Sequence, residues 1–374
     1  MNPIRILQVV TVMNRGGLET MLMNYYRQLN RKDIQFDFIV HREQEGHYDQ
    51  EIESLGGRIF RMLPIRPGNY RSYFKQLDQF FNEHPYYQIV HAHINENSAF
   101  ILRAAKKANI PHRIAHSHLS DLQLDFKYPF RLYARKVLEN QPTDYFACSE
   151  KAGRWLFSKK DHTLEKMKVL HNAINIEHFQ YNTRKRDQIR KQHGLEGKFV
   201  IGHVGRFNKQ KNHSFILEIF KELLNEHPQS VLVLIGDGNL REKIEKKAIA
   251  IGLLPHIRFL GVCENISDMM QGFDVFLFPS LYEGLPVALV EAQAAGLTCF
   301  VSDRVTKEAN ITGALKFLSL EEKAKSWADY MVRANHDRLE TTQLLKEKGY
   351  DSNTMAKWLS QYYMTKSRKA LNYS

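Results

Sequence analysis

The chain of 374 residues contains only three cysteines, Cys148, Cys263 and Cys299. They lie far apart, and no two have the spacing of a zinc-binding pair. Three isolated thiols exclude a disulfide framework and a four-cysteine zinc site, and they are typical of a reducing compartment. We therefore expect a cytoplasmic location.

Long hydrophobic runs are also missing. No stretch approaches the roughly 18 consecutive apolar residues that a membrane-spanning helix needs. The apolar segment Ile4–Met13 near the N-terminus is interrupted by Arg5 and Gln8 and leads into Gly16 and Gly17. It therefore lacks the uninterrupted apolar region of a secretory signal peptide, and we expect neither a leader nor a membrane span.

Acidic residues are outnumbered, with 41 Asp and Glu against 53 Lys and Arg, which gives a formal net charge of +12. Such an excess suits nucleic acid or an anionic membrane. The basic residues are scattered, however, and no zinc finger or RNA-recognition motif is present, so we expect no nucleic-acid partner. The length predicts two or three domains.

Short apolar runs rich in β-branched and aromatic residues alternate with helical stretches along most of the chain. This alternation predicts an α/β protein with parallel sheets and helices on both faces. Strands are predicted at Ile4–Val12, Phe36–Val40, Arg58–Arg61, Ile89–His93, Arg113–Ser117, Tyr145–Cys148, Lys168–Leu170, Phe199–Val204, Val231–Ile235, Ile257–Leu260, Val275–Phe278, Cys299–Val301 and Leu315–Leu318.

The alternation is interrupted by a polar, strongly charged segment at 176–197, which we interpret as a linker with one short helix. It divides the chain into two Rossmann-like, doubly wound halves, 1–175 and 176–353. We expect a ligand cleft between them, at the carboxyl ends of the strands. The final segment, 354–374, has one apolar face and is expected to pack back on the first half.

One strand–turn–helix unit in the second half is the most informative stretch. The apolar strand Val275–Phe278 leads into a tight turn, and Pro286 begins a helix that Gly296 ends. The unpaired N–H groups of a helix start favour phosphate. The carboxylates of Glu283, in the turn, and Glu291, on the helix, can accept hydrogen bonds from sugar hydroxyls. A nucleotide sugar satisfies both demands; an ordinary turn with two surface acids is the alternative.

Two other loops follow predicted strands and could contact phosphate. Arg206 and Lys211 follow the first strand of the second half. A planar guanidinium and a compact ammonium together suit a diphosphate, although a solvated basic loop is the alternative. Gly16 and Gly17 follow the first strand of the chain and would let a ligand approach the backbone closely. They do not complete a dinucleotide-binding fingerprint.

Four histidines stand at the ends of two predicted strands: His91 with His93, and His116 with His118. Strand alternation places both members of each pair on the same face. With Asp121 nearby, the four could bind a metal, and a metal-dependent hydrolase is the main alternative function. Contact with a substrate, or a simple cap of the strand end, explains these histidines better than a metal does.

Together these motifs resemble the retaining glycosyltransferases of family 4, which have the two-domain GT-B fold. Within that family the chain is similar to bacterial exopolysaccharide and capsule transferases. The likeness runs over most of the chain, in the order Gly16-Gly-Leu-Glu19, His91-Ala-His93, His118, Gly205-Arg206 with Lys211, Gly236-Asp-Gly238, and Glu283 with Glu291.

The resemblance implies a role for each of these residues. Arg206 and Lys211 would hold the diphosphate and neutralise the leaving group. Glu283 would bind hydroxyls of the donor sugar, and Glu291 would bind the ribose. His118 would contact the sugar near the reacting centre, with the nearby His116 as the alternative. The implied donor-binding residues are Gly16, Gly17, Arg206, Lys211, Glu283, Gly284, Leu285 and Glu291.

The resemblance also implies the reaction: a hexose moves from a UDP-sugar to an acceptor hydroxyl with retention of configuration, and no metal or other cofactor is needed. An inactive nucleotide-sugar-binding protein is a further alternative. The family often has Asn-Gly-Ile-Asp where this chain has Asn172-Ala-Ile-Asn175. Because alanine takes a positive φ less readily than glycine, we expect a different loop shape there.

The acceptor is expected to be a saccharide, lipid-linked if the protein binds the inner face of the cell membrane. The stretch Leu122–Leu138 mixes aromatic with basic residues. Such a stretch can lie on an anionic membrane surface, and an ordinary half-buried helix is the alternative.

Overall fold

The computed structural model describes residues 2–66, 68–119, 128–157, 161–283 and 285–371. The chain divides into two compact units. The first consists of Met1–Ala173 together with Ser352–Ser374, and the second of Ile174–Asp351. Each unit is built on one parallel sheet with helices, so the α/β class expected from the alternating pattern is confirmed.

Every apolar run that was predicted to be a strand forms one, with bounds that agree within two residues. The strands are β1 (Ile4–Val10), β2 (Ile34–Val40), β3 (Ile59–Arg61), β4 (Ile89–Ala92), β5 (His112–Ser117), β6 (Asp144–Ala147), β7 (Lys168–Val169), β8 (Phe199–Val204), β9 (Ser230–Ile235), β10 (Ile257–Gly261), β11 (Val275–Phe278), β12 (Thr298–Ser302) and β13 (Leu315–Leu318). The helices are α1 (Gly17–Gln28), α2 (Asp49–Ser54), α3 (Tyr70–Glu83), α4 (Ser98–Lys107), α5 (Tyr128–Leu138), α6 (Glu150–Phe157), α7 (Asp161–Lys166), α8 (Ile176–Phe179), α9 (Thr183–His193), α10 (His213–Glu226), α11 (Arg241–Ala250), α12 (Ile266–Gln271), α13 (Val287–Ala294), α14 (Ala324–Arg333), α15 (Thr342–Glu347) and α16 (Ser352–Leu371).

Both sheets are doubly wound. The strand order is β3-β2-β1-β4-β5-β6-β7 in the first unit and β10-β9-β8-β11-β12-β13 in the second. The direction of winding therefore reverses between β1 and β4, and again between β8 and β11. In open parallel sheets the loops at the carboxyl ends of such neighbouring strands form the ligand site. The topology thus brings together the loop that follows β8 and the turn that follows β11.

The C-terminal helix α16 completes the first unit. It contacts α1 and β4, and its residues Ala356, Leu359 and Tyr363 are buried in the same apolar core as β1 and β2. These buried side chains lie on the apolar face that the sequence pattern predicted for this segment. The first unit is therefore assembled from both ends of the chain.

The interpretation of 176–197 as a linker is wrong, because this segment folds as α8 and α9 and belongs to the second unit. Helix α9 has no fully buried side chain. Instead, Arg186 and Arg190 each bind one carboxylate oxygen of Asp274 at 2.6 Å, and the same carboxylate accepts a hydrogen bond from the backbone N–H of Val200 at 2.7 Å. Charged hydrogen bonds, together with the partly buried Ile189 that packs on the apolar core, hold this helix on the second unit.

Among the helices that the structure describes, none combines the length and the apolar character needed to cross a bilayer. At the departure from the family pattern, Ala173 has no positive φ. Its carbonyl accepts a hydrogen bond from the side-chain amide of Asn24 at 3.1 Å. The loop at this position thus has an ordinary backbone that alanine adopts without strain.

Replacing Asp274 by alanine should reduce the free energy of unfolding by about 2–4 kcal/mol, because two guanidinium groups and one backbone N–H lose their common partner. Chemical denaturation of the purified variant measures the loss. Asp268→Ala is the matched control, because Asp268 forms an exposed ion pair with Lys185, which lies on α9 as Arg186 and Arg190 do. This substitution should reduce the free energy of unfolding by less than about 1 kcal/mol. Equal losses in the two variants would contradict the role assigned to Asp274.

Candidate functional site

The residues predicted to form the site are found in both units. Gly16, Gly17 and His118 lie in the first, and Arg206, Lys211, Glu283, Leu285 and Glu291 lie in the second. Gly284 and Asp121 lie outside the described residues.

The loop after β8 is packed tightly on the loop after β9. The backbone N–H of Phe207 donates to the carbonyl of Asp237 at 2.9 Å. Gly236 and Gly238 have φ of 134° and 157°. A Cβ on Gly236 would lie 2.2 Å from the carbonyl oxygen of Gly205, and a Cβ on Gly238 would lie 2.5 Å from that of Phe207. Only glycine allows this conformation and this approach, so the Gly236-Asp-Gly238 motif supports the loop that carries Arg206 and Lys211.

Three hydrogen bonds join the loop after β8 to the turn after β11. Leu281 N–H donates to the carbonyl of Gln210 at 2.8 Å, and the Gln210 side-chain amide donates to the carbonyl of Tyr282 at 3.0 Å. The side-chain amide of Asn212 donates to the carbonyl of Pro279 at 3.2 Å. Sequence-distant loops are thereby fixed side by side, which places Lys211 opposite Glu283.

Lys211 and Glu283 form an ion pair, with Nζ and Oε1 2.5 Å apart and only 14% and 9% of the two side chains exposed. The ammonium also lies 4.3 Å from the ring centroid of Phe278, where a cation–π interaction adds to its stabilisation. The structure therefore brings together the two residues that the sequence motifs assigned to the phosphate and to the sugar. In the ligand-free protein each neutralises the other.

Arg206 begins the same loop and is exposed. Its guanidinium forms no ion pair or hydrogen bond with any described residue. The side-chain stem of Lys211 packs over the neighbouring Gly205, so that a Cβ on Gly205 would lie 3.1 Å from Cδ and Cε of Lys211. One cation that is already paired and one that is still available for an anion thus stand next to each other at the end of β8.

Glu291 lies on α13, the helix that follows the turn. The helix begins at Val287 and Pro286 is its N-cap, so it starts one residue later than the sequence predicted; Gly296, with φ of 70°, follows its end. The Glu291 side chain is partly exposed and has no hydrogen-bond partner among the described residues. Desolvation raises the pKa of its carboxyl group to about 7. Leu285, at the start of this segment, is buried.

In the first unit the four histidines form one hydrogen-bonded network. His91 Nε2 lies 3.1 Å from His116 Nδ1, and His93 Nδ1 lies 3.0 Å from His118 Nε2. The rings are stacked or tilted on one another. The ring centroids of His91 and His93 lie 4.2 Å apart, and those of His116 and His118 lie 4.1 Å apart. Burial lowers the pKa of His91 and of His118 to about 3 and those of His93 and His116 well below their ordinary value, so all four are neutral near pH 7.

The network distinguishes the two candidates for the active-site histidine. His116 is fully buried, whereas His118 is partly exposed. The backbone N–H of His118 donates to the side-chain oxygen of Asn95 at 2.9 Å, which fixes its position beyond the end of β5. Only His118 of this pair can contact a ligand without rearrangement of the core.

Potential ligand atoms of His91, His93 and His116 lie within 4.8 Å of one another, as a metal site would require. The nitrogens of His91 and His93, however, are engaged in hydrogen bonds with other side chains, to Tyr363, His116, His118 and Gln8. A carboxylate that would complete a hydrolase site is not found in the cluster as far as the chain is described. The arrangement supports a hydrogen-bond network better than a metal-dependent hydrolase.

Gly16 and Gly17 lie at the start of α1, after β1 and on the same edge of the first sheet as His93 and His118. Gly16 is the N-cap and makes no side-chain capping bond. A Cβ at Gly16 would come within 2.4 Å of a carboxylate oxygen of Glu19. The contact is with the end of a flexible side chain, and Gly16 has an extended backbone with φ of −118°. The geometry of the first unit alone therefore does not require glycine at this position.

Sequence reasoning missed Gln8 and Tyr363, which connect the histidines to one another, and Gln210 and Asn212, which join the two loops of the second unit. Gln8 gave a signal, because it is a polar residue within a strand that is otherwise buried and apolar. Tyr363 was assigned only to the apolar face of the last helix. Its hydroxyl instead lies 2.7 Å from His91 Nδ1.

Comparisons with known proteins agree across the whole chain. Residues 185–352 match the family described as "Glycosyl transferases group 1", and residues 15–178 match "Glycosyltransferase Family 4". The "Putative glycosyltransferase EpsF" of Bacillus subtilis is 38% identical over 378 residues, which cover 98% of each chain. The capsular polysaccharide biosynthesis glycosyltransferase CapH of Staphylococcus aureus is 28% identical, over 97% of this chain and 99% of CapH.

A third relative, an Escherichia coli UDP-Gal:α-D-GlcNAc-diphosphoundecaprenol α-1,3-galactosyltransferase, is 29% identical over 58% of each chain. Among solved structures, Anabaena HepE in complex with UDP and glucose superimposes with a TM-score of 0.77 at 17% identity, covering 96% of this chain and 99% of HepE. The two Rossmann-like units thus have the GT-B fold that the sequence motifs suggested.

Replacing Glu291 by glutamine should change the pH dependence of stability. Between its ordinary pKa of 4.5 and the folded value of about 7, the native protein holds a proton that the unfolded chain releases, so the free energy of unfolding falls as the pH rises. Glu291→Gln removes this loss. We expect the variant to be more stable than the unmodified protein at pH 8 by about 1–3 kcal/mol and nearly equal to it at pH 4.

Denaturation at the two pH values measures this difference. Glu308→Gln is the control, because Glu308 is exposed and its replacement should shift stability equally at pH 4 and pH 8. A Glu291→Gln variant with no greater stability at pH 8 would contradict the raised pKa.

Proposed function

Because the chain belongs to the glycosyltransferases of group 1 and family 4, we propose that it moves a hexose from a UDP-sugar to a hydroxyl of a saccharide acceptor in exopolysaccharide or capsule synthesis, retaining the anomeric configuration. The observation that carries this proposal is the Lys211–Glu283 pair, held between two strand ends where the winding of the sheet reverses and beside the exposed Arg206. The name of CapH, a capsular polysaccharide biosynthesis glycosyltransferase, supports the role in polysaccharide synthesis, and HepE, which was solved with UDP and glucose, supports the donor class.

In this proposal the second unit binds the donor. Arg206 and Lys211 bind the diphosphate, and we assign the backbone N–H group of Leu285 to the same ligand. Glu283 uses its second carboxylate oxygen to accept hydrogen bonds from the hexose, since only Oε1 is engaged by Lys211. Glu291, which has no protein partner among the described residues, accepts a hydrogen bond from the ribose.

The first unit supplies Gly16 and Gly17 against the donor phosphate and His118 against the sugar. Since burial keeps His118 neutral, it contributes a hydrogen bond and not a charge.

The proposed step needs no nucleophile from the protein. The acceptor oxygen forms a bond to the anomeric carbon on the face from which the diphosphate leaves, and the bond between that carbon and the diphosphate oxygen breaks. The proton of the acceptor hydroxyl passes to the departing diphosphate. Arg206 and Lys211 stabilise the charge that develops on this leaving group, which is electrostatic catalysis. We propose that these cations do so without a metal ion.

We propose a lipid-linked acceptor and a place on the cytoplasmic face of the membrane. The E. coli relative, whose name specifies a diphosphoundecaprenol acceptor, supports the first point. On α5, Leu132 and Tyr133 are 43% and 55% exposed and would face the bilayer. Of the basic residues on this helix, Arg131 faces Glu96 at 3.9 Å and Arg135 lies over Trp155, so Lys136 is the exposed charge.

The donor proposal is tested with a panel of labelled nucleotide diphosphate sugars, scored by thermal shift and by sugar transfer or release. We expect a UDP-hexose to raise the melting temperature most, because a ligand that binds only the native state stabilises it. Lys211→Ala should lower turnover at least tenfold, which corresponds to about 1.4 kcal/mol of barrier.

Lys209→Ala is the matched control, since Lys209 lies two residues away in the same loop and is exposed. Melting temperatures of both variants are recorded, because Lys211→Ala leaves Glu283 unpaired. Near-normal turnover of Lys211→Ala would contradict its role. Binding without transfer would indicate an inactive nucleotide-sugar-binding protein, and chelator-sensitive hydrolysis with stoichiometric metal would indicate the hydrolase.

The membrane proposal is tested by flotation with vesicles of phosphatidylcholine alone or with added phosphatidylglycerol. The protein should float with the anionic vesicles and not with the neutral ones, because Lys136 and the net charge of +12 favour a negative surface. Replacement of Leu132 and Tyr133 by serine should reduce the floated fraction severalfold, and Tyr330→Ser, at a 50% exposed site in the second unit, should not. Flotation that does not depend on anionic lipid contradicts the proposal.

A further inference from the structure

The side-chain amide of Gln8 is hydrogen-bonded to two members of the histidine network, His93 and Tyr363. Gln8 is fully buried in β1, directly opposite His91 in the parallel register of β1 and β4. Its Oε1 lies 2.8 Å from His93 Nε2, and its Nε2 lies 3.4 Å from the hydroxyl of Tyr363. An amide presents an acceptor on one side and donors on the other, so it imposes a direction on each chain of hydrogen bonds that it begins.

The first chain runs from the amide oxygen to His118. An amide oxygen only accepts, so His93 must carry its proton on Nε2, and its Nδ1 is then a bare acceptor. That acceptor faces His118 Nε2 at 3.0 Å, which must therefore be the protonated nitrogen of His118. The remaining nitrogen of His118, Nδ1, has no partner among the described residues and carries a lone pair.

The second chain runs from the amide nitrogen to His116 and has the same direction. Gln8 donates to the Tyr363 hydroxyl, which can then donate to His91 Nδ1 at 2.7 Å. His91 Nε2 donates in turn to His116 Nδ1 at 3.1 Å. This chain ends inside the core, at His116 Nε2, which has no hydrogen-bond partner in the part of the protein that the structure describes. Only the first chain reaches a partly exposed residue.

We propose that Gln8 is a positioning residue: through His93 it fixes His118 as the Nε2–H tautomer and presents the bare Nδ1 of His118 as a hydrogen-bond acceptor for a sugar hydroxyl. The inference rests on the proposed function in one respect, that His118 contacts the sugar. The tautomer itself follows from the hydrogen bonds of the unliganded protein. A free imidazole offers either a donor or an acceptor, and this network selects the acceptor before any ligand binds.

The two chains of hydrogen bonds that begin at Gln8 keep their direction only while all four imidazole rings are neutral. A protonated imidazole donates from both nitrogens, and its charge would remove the acceptor from His118. Burial excludes water that could otherwise satisfy the wrong tautomer. Among the described residues, the side-chain hydrogen-bond partners of the four rings are Gln8, Tyr363 and one another, and no carboxylate, ammonium or guanidinium is one of them. Burial lowers the pKa of His91 by more than the charge of Asp144 raises it.

The tautomer is measured directly in the unliganded protein labelled with ¹⁵N-histidine. Long-range ¹H–¹⁵N spectra separate protonated from bare ring nitrogens, and loss of a signal in His118→Gln assigns His118. We expect the unmodified protein to show His118 protonated on Nε2. In Gln8→Met, which has a similar shape and no amide, the signal should shift toward a mixture of both tautomers.

Two further variants separate this role from a merely structural one. Gln8→Glu keeps an acceptor oxygen facing His93 and should restore the Nε2–H tautomer of His118 at a pH high enough to keep His93 neutral beside the new carboxylate. Gln35→Met is the matched control, because Gln35 is a buried glutamine of the neighbouring strand whose side chain bonds Tyr26 and the carbonyl of Leu55. It should leave the His118 signal unchanged even if it lowers stability.

With the donor found in the panel, Gln8→Met should lower kcat at least tenfold with KM for the donor changed less than threefold, and Gln35→Met should change neither. A His118 protonated on Nδ1 in the unmodified protein overturns the proposal, as does a His118 signal that Gln8→Met does not alter. An altered tautomer with unchanged kcat overturns the positioning role. If no donor is turned over, the spectra still decide the tautomer, and only the proposed function fails.

Discussion

The ion pair between Lys211 and Glu283 depends on the hydrogen bonds that hold two loops together. The residues are 72 positions apart in sequence and meet only because β8 and β11 are neighbours in the sheet. Backbone and side-chain amides of Gln210 and Asn212 then fix the separation of the loops. Because both charges are mostly buried, their attraction is stronger than that of a surface ion pair. Removal of either partner would leave the other as an unpaired buried charge and would destabilise the fold.

Both units have a doubly wound parallel sheet, but the side chains at the carboxyl ends of their strands differ in charge. At the reversal point of the second sheet, charged side chains converge, and Arg206 remains available for an anion. At the corresponding edge of the first sheet, four imidazoles are kept neutral by burial and oriented by an amide. Charge is thus concentrated where a diphosphate is proposed to bind, and directional hydrogen bonds are concentrated where a hydroxyl is proposed to react.

Local pattern was sufficient for much of this architecture. Runs such as Val275–Phe278 and Phe199–Val204 form strands at the predicted positions, because apolar β-formers between turn residues leave few other folds open. The segment 176–197 was misjudged because α9 is attached by two arginines that bind Asp274 and by a single apolar residue, Ile189, which gives no periodic apolar pattern. Gln8 and Tyr363 could not be paired from the sequence, since 355 positions separate them and polar contacts leave no periodic signal.

The first unit is discontinuous: residues 174–351 are inserted between its main body and α16. During synthesis on the ribosome the whole of the inserted unit emerges before α16 does. The inserted unit can therefore fold first, whereas the unit that begins at the N-terminus waits with the surface of α1 and β4 uncovered and His91 without its tyrosine partner. The synthesis of α16 therefore determines when the histidine network can form.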